Sequence, residues 1–525
     1  MKNMLTVRIA LLVVALFALQ SRSFATAPKP PNVIFILADD LGIGNLSCYG
    51  SDHYKTPNID KIASTGTTYT RAFTASLCGP SRALIMSGRY AFRNGSTNQD
   101  ACIRMAPSEM VLPKLFKSVG YATSAIGKWG QLPGLPADHG FDEYLRFNGS
   151  GVYWNTQKGK PEAYQINGDD LKLADGQYMP DVMQEQAIGF IRRNQDKPFF
   201  LYYSLSHVHG EIRPTPDSAP ESKTLFADNI LYMDKLVGNI VDELDSLKLR
   251  DDTLLIFIGD NGTAKGQAAL STIGGRGLSG MKGSMLECGG LVPLVVSWPG
   301  QTPAGKVSDD LIDSTDFVTT FADLTGAELP EKTKFDGVSF ASQLRGAAGK
   351  SRDWVFNQLA SMWYVRDANW KLNQDGELFD MSDAPFAEIL VPEEKETSAA
   401  TAARKRLAAV LAELNPAGGI LDTGDGSGRH ASKAAKKTND ASAHPNPKPA
   451  ATKDDPSDTN PEAAERAARF DKLDKQKTGR LTREYYTTHQ SDAAAAGERF
   501  DKWDTNRDGF LTRDEYIARG MTITK

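Results

Sequence analysis

The sequence predicts an α/β protein built on a large mixed, mostly parallel sheet with helices on both faces. Continuous apolar runs, typical of strands buried on both faces, alternate with amphipathic helical segments. A smaller strand-rich segment follows, and the chain ends in a small all-α tail. Polar residues come directly after several apolar runs, and in such sheets ligands bind beyond the carboxyl ends of the strands. We therefore expect the functional residues to lie together at one edge of the sheet.

Residues 1–25 have the composition of a signal peptide. Lys2 and Arg8 precede the apolar run Ile9–Leu19, which is too short to span a bilayer, and the small residues Ser23 and Ala25 follow. The alternative is a buried N-terminal helix. The pattern favours export, to a periplasm, to a cell surface or into the medium.

Composition and charge limit the classes of partner. The net charge of −5 argues against a nucleic-acid binder, which would be basic. No segment is long and apolar enough for a transmembrane anchor. Export permits disulfides, but four cysteines in 525 residues do not make a disulfide scaffold. A Cys48–Cys102 pair is compatible with this count, although spacing alone does not decide it.

Five apolar runs are predicted strands of a core that spans residues 28–330. They are Asn32–Ala38, Ala122–Ile126, Phe199–Tyr203, Thr253–Ile258 and Val292–Trp298. The first four lead into Asp39-Asp40, Gly127-Lys128, the pair His207 and His209, and Asp260-Asn261, and the fifth follows Lys282 and Glu287. The clearest helix between them places apolar residues from Ile230 to Leu247 on one face.

A further helix is predicted directly after Cys78. Pro80 suits the first helical position, and Ala83–Met86 continue a helix that ends near Gly88. Cys78 would then lie at a helix N-terminus, where backbone N–H groups and the helix dipole favour negative charge. Arg82 returns to the same face four residues later. The alternative is a buried structural cysteine beside a turn.

Oxygen donors follow two of the predicted strands. Asp39-Asp40 and Asp260-Asn261 offer only oxygen ligands, which select a hard cation such as Ca²⁺ or Mg²⁺ over zinc. Cations are expected around the same edge: Arg82, Lys128, Lys282 and the pair His207 and His209. A metal, several cations and a nucleophile suit hydrolysis of an ester of a strong oxyanion, sulfate or phosphate.

The C-terminal third divides by composition. Residues 331–416 are a strand-rich subdomain closed by a helix over 403–414, and residues 417–461 are a linker of small and polar residues. In the tail, 462–525, the segment Arg469–Asp474 recurs as Arg499–Asp504. The second copy matches a calcium loop of an EF-hand, with candidate ligands Asp504, Asn506, Asp508, the Phe510 carbonyl and Glu515. In the first copy Tyr485 occupies the last position, so it is expected to bind weakly or not at all.

Residues 31–414 resemble the type I sulfatases of the alkaline phosphatase superfamily. The most specific element is Cys78-Gly79-Pro80-Ser81-Arg82, which matches the C-x-P-S-R signature of that family. Supporting matches, in order, are Asn32–Asp40, Thr56–Asp60, Gly127–Trp129, Gly140–Tyr144, Asp260–Gly262, and Lys282 with Glu287. The resemblance implies an alkaline phosphatase-like fold and a sulfuric ester hydrolase.

The resemblance also implies a site and a maturation step. Cys78 would be oxidised to formylglycine by a formylglycine-generating enzyme, with Arg82 holding its hydrate. The implied ligands of one Ca²⁺ are Asp39, Asp40, Asp260, Asn261 and the modified residue 78. Lys128 and Lys282 would hold the sulfate, and His207 would be the general acid. The implied substrates are a sulfated carbohydrate or an aryl sulfate, and Trp154 is a candidate sugar contact.

One departure from the family pattern leaves alternatives open. The family has a histidine after Gly-Lys-Trp, whereas this chain has Gly130-Gln131. The place of that histidine would be taken by His139, His209 or Gln131. Two other functions also remain: a phosphate-ester or phosphonate hydrolase of the same superfamily, which needs no conversion of Cys78, and a non-enzymatic calcium-binding surface protein.

Overall fold

The structure, a computed structural model, describes residues 30–129, 132–155 and 162–422 as nearly continuous chain. Beyond them it describes 470, 473–474, 480–488, 493–504, 510–512 and 516. The expected signal peptide and most of the expected linker lie outside the described residues. The chain divides after Asp422 into two compact units.

A ten-stranded mixed sheet forms the centre of the first unit. Its strands are β1 (Asn32–Ala38), β2 (Thr67–Phe73), β3 (Ala122–Lys128), β4 (Glu143–Phe147), β5 (Ala163–Ile166), β6 (Asp169–Lys172), β7 (Phe199–Ser204), β8 (Thr253–Gly259), β9 (Leu291–Ser297) and β10 (Lys306–Asp313). They lie in the order β10-β2-β9-β8-β1-β7-β3-β4-β5-β6. The central strands β8, β1, β7, β3 and β4 are parallel, whereas β9, and β5 with β6, pair antiparallel with their neighbours. The predicted large mixed, mostly parallel sheet with helices is confirmed.

Apolar side chains of the sheet pack into two cores, one on each face. In β1, Val33, Phe35 and Leu37 enter one core, and Ile34 and Ile36 enter the other. This is why the run is apolar without alternation. The α-helices of the first unit are Pro57–Ser64, Cys78–Ser87, Ala91–Asn94, Leu112–Ser118, Met179–Arg193, Leu225–Ser246, Lys265–Ala268, Glu287–Gly290, Asp316–Thr325, Ala341–Leu344 and Ser398–Leu414. Short 3₁₀ turns cover Ile43–Asn45, Ser47–Tyr49, Ala101–Arg104, Pro136–His139, Arg250–Asp252, Glu393–Lys395 and Pro416–Gly418.

Two helix starts differ from the prediction. The helix expected to begin at Pro80 begins at Cys78. Pro80 is tolerated in its first turn, because those N–H groups have no acceptor within the helix. The helix expected over 403–414 begins five residues earlier, where the Thr397 hydroxyl accepts a hydrogen bond from the Ala400 N–H.

An antiparallel sheet forms the smaller subdomain of the first unit. Its strands are β11 (Val355–Leu359), β12 (Met362–Arg366), β13 (Trp370–Asn373), β14 (Leu378–Asp380) and β15 (Ile389–Val391). The helix Ser398–Leu414 packs on it through Ala400 and Leu407. Arg366 reaches back to Glu287 with Nη2–Oε1 at 2.6 Å, and both side chains are buried. This ion pair fixes the subdomain to the segment that precedes β9.

The second unit contains the helices Arg483–Thr488 and Ala493–Trp503 and two short strands, β16 (Arg480–Thr482) and β17 (Phe510–Thr512). The strands pair antiparallel with Leu481 opposite Leu511, and both leucines are buried. Across the described residues of the whole chain, no helix has the length and apolar content that a membrane span requires.

Candidate active site

The ends of four parallel strands meet at one edge of the large sheet. Leu37 of β1 is in register with Ser204 of β7, and Ala38 with Gly259 of β8. Gly127 of β3 is also in register with Ser204. The residues that follow these positions therefore emerge side by side, as expected for a parallel sheet.

Three carboxylates and one carboxamide meet at this edge. Asp39, Asp40, Asp260 and Asn261 are all at most 2% exposed. A carboxylate oxygen from Asp39, one from Asp260 and Cys78 Sγ lie within 4.8 Å of one another. The structure thus brings together the five predicted metal-site residues, and all five are buried.

Asp40 has a strained backbone that serves this arrangement. Its φ of 62° lies in the left-handed region, which aspartate tolerates better than most residues. The turn directs the Asp40 N–H to Asp260 Oδ1 at 3.0 Å. The Asn261 Nδ2 donates to Asp40 Oδ1 at 2.9 Å, so the two strand ends are connected on both sides.

Each carboxylate has its own cation. Lys128 Nζ lies 2.9 and 2.8 Å from the two Asp39 carboxylate oxygens. Arg82 Nη2 lies 2.8 Å from Asp260 Oδ2. Lys282 Nζ lies 2.7 Å from Asp40 Oδ1. Burial opposes ionisation of Asp39, but Lys128, His209 and Arg82 together outweigh it and hold the pKa of Asp39 below its usual value. Burial likewise disfavours the Lys128 ammonium, and Asp39 raises its pKa above the usual value. Both groups are therefore charged at neutral pH.

Cys78 is the first residue of its helix and is 4% exposed. Burial raises the pKa of its thiol, although Lys128 and Lys282 act against this. An unmodified Cys78 is therefore a poor thiolate nucleophile at neutral pH. Its Sγ donates to Gln99 Oε1 at 3.2 Å.

The two histidines after β7 have different environments. His207 is completely buried, contacts the Tyr178 hydroxyl through Nε2 at 3.0 Å, and has its pKa lowered to about 3 by burial. His209 is partly exposed, and its Nε2 lies 3.7 Å from Asp40 Oδ2. His209 Nδ1 lies 2.5 Å from the Gly210 carbonyl, which directs Nε2 towards the site.

The remaining candidates contact other parts of the chain. His139 contacts the Pro133 carbonyl through Nε2 at 2.6 Å and packs on Trp129. Trp154 donates to the Pro214 carbonyl at 2.7 Å and packs on Tyr178, beside His207. Gly130 and Gln131 lie outside the described residues.

Sequence reasoning missed two contacts of the site. Ser204 accepts a hydrogen bond from Arg82 and donates to the Lys128 carbonyl. Its place at the end of a buried strand is the signal that would have identified it. Gln99 lies in an irregular segment, and nothing in the sequence points to it.

The cysteine pairing that the sequence left open is not formed. All four cysteines are free. Cys102 Sγ donates to the Asn98 carbonyl at 3.0 Å. Cys48 packs at the edge of a core beside Asp60.

A mixed α/β sheet that gathers carboxylates, cations and a cysteine at one edge is typical of hydrolases that act on oxyanion esters. Residues 31–327 match the family model described as Sulfatase. The chain is 32% identical over 353 residues to N-acetylgalactosamine-6-sulfatase of Canis lupus familiaris, covering 61% of this chain and 67% of that protein. It is 30% identical over 448 residues to steryl-sulfatase of Mus musculus, covering 66% and 71%.

Solved sulfatase structures have the same fold as this chain. A crystal structure of Ps i-CgsB in complex with k-i-k-neocarrahexaose superposes with a TM-score of 0.66 at 25% identity, covering 79% of this chain and 100% of that one. A structure of BT4656 in complex with its substrate, D-glucosamine-2-N,6-O-disulfate, has the same fold, with a TM-score of 0.62 at 21% identity and coverage of 74% and 97%. The chain belongs to the sulfatase family, and its class of activity is sulfuric ester hydrolysis.

Proposed function

We propose that this protein is an exported sulfatase that removes sulfate from a carbohydrate, or from an aryl sulfate, with a formylglycine made from Cys78 and one Ca²⁺. The observation that carries the proposal is the buried cluster of Asp39, Asp260 and Cys78. The names of the relatives, which include N-acetylgalactosamine-6-sulfatase and an arylsulfatase of Hemicentrotus pulcherrimus, support this range of substrates. Export rests on the composition of residues 1–25.

The donor set fits a calcium ion. Asn261 Oδ1 is buried and has no hydrogen-bond partner among the described residues, while its Nδ2 is used by Asp40. A buried oxygen without a donor is costly, and a hard cation would satisfy it. Asp39, Asp40, Asp260 and Asn261 would hold the ion, which supplies Lewis acidity to a sulfate oxygen when bound.

The cations around the cluster suit a sulfate group. Lys128 and Lys282 pair with the neighbouring carboxylates Asp39 and Asp40, so a sulfate bound beside these carboxylates would meet two ammonium donors. Arg82 fixes Asp260 and the Lys128 carbonyl, and thereby the floor of the site. A formylglycine at position 78 would supply, as its hydrate, the hydroxyl that attacks sulfur.

The proton for the leaving oxygen is assigned to His209. His207 is buried and neutral, since its pKa is about 3, and its Nε2 is already engaged by Tyr178. His209 has an exposed edge and directs Nε2 towards the carboxylate cluster. Tyr153 keeps this loop in place through its hydroxyl, which donates to the Ser206 and His209 carbonyls. His207 then supports the loop rather than the reaction.

The C-terminal unit is proposed to be a pair of EF-hands with one calcium site. The pairing of β16 with β17 joins equivalent positions of the two repeats, with Leu481 opposite Leu511. Asp474 and Asp504, the first residue of each loop, are both buried. Asn506, Asp508 and Glu515 lie outside the described residues, and their assignment rests on the sequence.

The mass of the peptide that contains residue 78, from exported protein, tests the enzyme proposal. Conversion of the thiol to a carbonyl, together with turnover of 4-methylumbelliferyl sulfate that Cys78→Ala abolishes, is the expected result. Phosphate-ester turnover with an unmodified thiol would select the phosphate or phosphonate hydrolase instead. Absence of both activities and of the modification would leave the calcium-binding surface protein.

A further inference from the structure

We infer that Gln99 is a catalytic residue that holds the side chain of residue 78 in its reactive orientation. The inference rests on the proposed function, and it assigns a role to a residue outside the C-x-P-S-R segment. The Gln99 carboxamide lies across the start of the helix Cys78–Ser87. Its Oε1 accepts from Cys78 Sγ at 3.2 Å and from the Gly79 N–H at 3.1 Å.

These two hydrogen bonds place one oxygen on the reacting atom and on the backbone next to it. Sγ occupies the place where an oxygen of the converted residue would stand, so Oε1 faces that oxygen as an acceptor. Among the described residues, Gln99 is the hydrogen-bond partner of the Cys78 side chain. The charged groups that act on Cys78 include Lys128, Lys282, Arg82 and two carboxylates, and none of these is a neutral acceptor.

Gly79 is what allows the carboxamide to lie there. A Cβ at residue 79 would come 3.1 Å from both Gln99 Oε1 and Nε2, and 2.8 Å from Cys102 Sγ. The contact with Cys102 Sγ is too close for carbon and those with the amide are tight, so a larger residue would shift the cysteine and press on the amide. The glycine, the glutamine and Cys102 therefore form one packed unit around residue 78.

The backbone of Gln99 is fixed by its neighbours. The Asn98 side chain is 5% exposed, and its Oδ1 accepts from the N–H groups of Asp100 and Ala101 at 2.9 Å each. The Thr97 carbonyl accepts from the Ala360 N–H at 2.7 Å, in the antiparallel subdomain. A side chain carried on such a fixed segment can position a reacting group with little loss of freedom.

Accepting a hydrogen bond from residue 78 favours the hydroxyl-bearing, hydrated form of the converted residue over the free carbonyl, because a carbonyl has no proton to donate. The hydrated form is the one that carries a nucleophile. Loss of the acceptor should therefore lower kcat and leave a larger fraction of free carbonyl. Gly79→Ala should act in the same direction by pressing on the amide.

The test compares Gln99→Met, which removes the acceptor at similar size, with Gln99→Glu, which keeps two acceptor oxygens. Gln301→Met is the matched control, since Gln301 is exposed and follows β9, which ends at the amino end of β8, away from the site. Each full-length protein is checked for conversion of residue 78 by mass, for melting temperature, for kcat and KM with 4-methylumbelliferyl sulfate, and for the rate of labelling by an aminooxy probe.

We expect Gln99→Met to be converted and folded like the wild type, with kcat about 10- to 100-fold lower and aminooxy labelling several-fold faster. Gln99→Glu should retain kcat within about fivefold, with any repulsion of the anionic substrate appearing in KM. Equal kcat and labelling in Gln99→Met and wild type, or equal losses in the Met and Glu variants, would overturn the inference. An unconverted, inactive wild type would instead overturn the sulfatase proposal together with it.

Discussion

Replacing Lys128 by methionine should lower the free energy of unfolding of the metal-free protein and raise its affinity for Ca²⁺. Lys128 and Asp39 are both fully buried, with Nζ 2.8 Å from Oδ2. At that distance the attraction is about 6 kcal/mol for an effective dielectric constant near 20. Removing one partner of such a pair costs about 3–5 kcal/mol, because the other charge is left uncompensated. For a unit of roughly 400 residues this lowers the melting temperature by about 4–6 °C.

A bound cation would compensate the orphaned Asp39 carboxylate, so most of this loss should disappear when Ca²⁺ is present. A recovery of about 3 kcal/mol corresponds to roughly 100-fold tighter binding. Calorimetric titration with CaCl₂ and thermal melts with and without chelator measure both quantities. Lys117→Met is the control, because Lys117 and Asp142 form an exposed pair at 2.7 Å that is worth at most about 1 kcal/mol. Unchanged or weaker Ca²⁺ affinity in Lys128→Met would refute Asp39 as a ligand of the ion.

Three further predictions concern the rest of the chain. The free energy of unfolding of the wild type should fall between pH 7 and pH 5, because burial lowers the pKa of His207 to about 3 and the unfolded chain takes up the proton first. His207→Gln should reduce this fall by about 2 kcal/mol in denaturant melts. Equal pH dependence in the two proteins would contradict the prediction. Glu287→Gln should cost about 3–5 kcal/mol in urea unfolding, since it leaves the Arg366 guanidinium buried without its partner. Asp504→Asn combined with Glu515→Gln should lower the calcium stoichiometry from two to one without changing kcat, and an unchanged stoichiometry would remove the EF-hand site.

The sheet and its edge were predictable because they follow from local patterns. β1 and β8 are uninterrupted apolar runs, and a parallel sheet requires the residues after them to meet. The meeting of Asp39-Asp40 with Asp260-Asn261 followed from that rule alone. The pairing of each carboxylate with a particular cation did not, because Lys282 belongs to a loop whose path depends on the packing of the whole unit.

The sequence alone could not distinguish the environment of His207 from that of His209. The two residues are separated by one position, and both follow the same strand. Their environments differ because Tyr178, from a distant segment, contacts the buried ring of His207. Gln99 was missed for a similar reason, since its function depends on a glycine twenty residues earlier having no side chain. Contacts of this kind depend on tertiary packing and leave no periodic pattern.

The balance of charge in the site connects metal binding to the release of product. Asp39, Asp40 and Asp260 are matched by Lys128, Lys282 and Arg82, so the six side chains are together neutral. A neutral cluster can remain folded without a metal, because no buried charge lacks a partner. Adding a dication leaves an excess of two positive charges in a largely buried site. A sulfate ester carries one negative charge and inorganic sulfate carries two, so the metal-loaded site attracts the substrate and holds the product more strongly still. Release of sulfate, rather than its cleavage from the ester, is therefore the step that this electrostatic arrangement should slow.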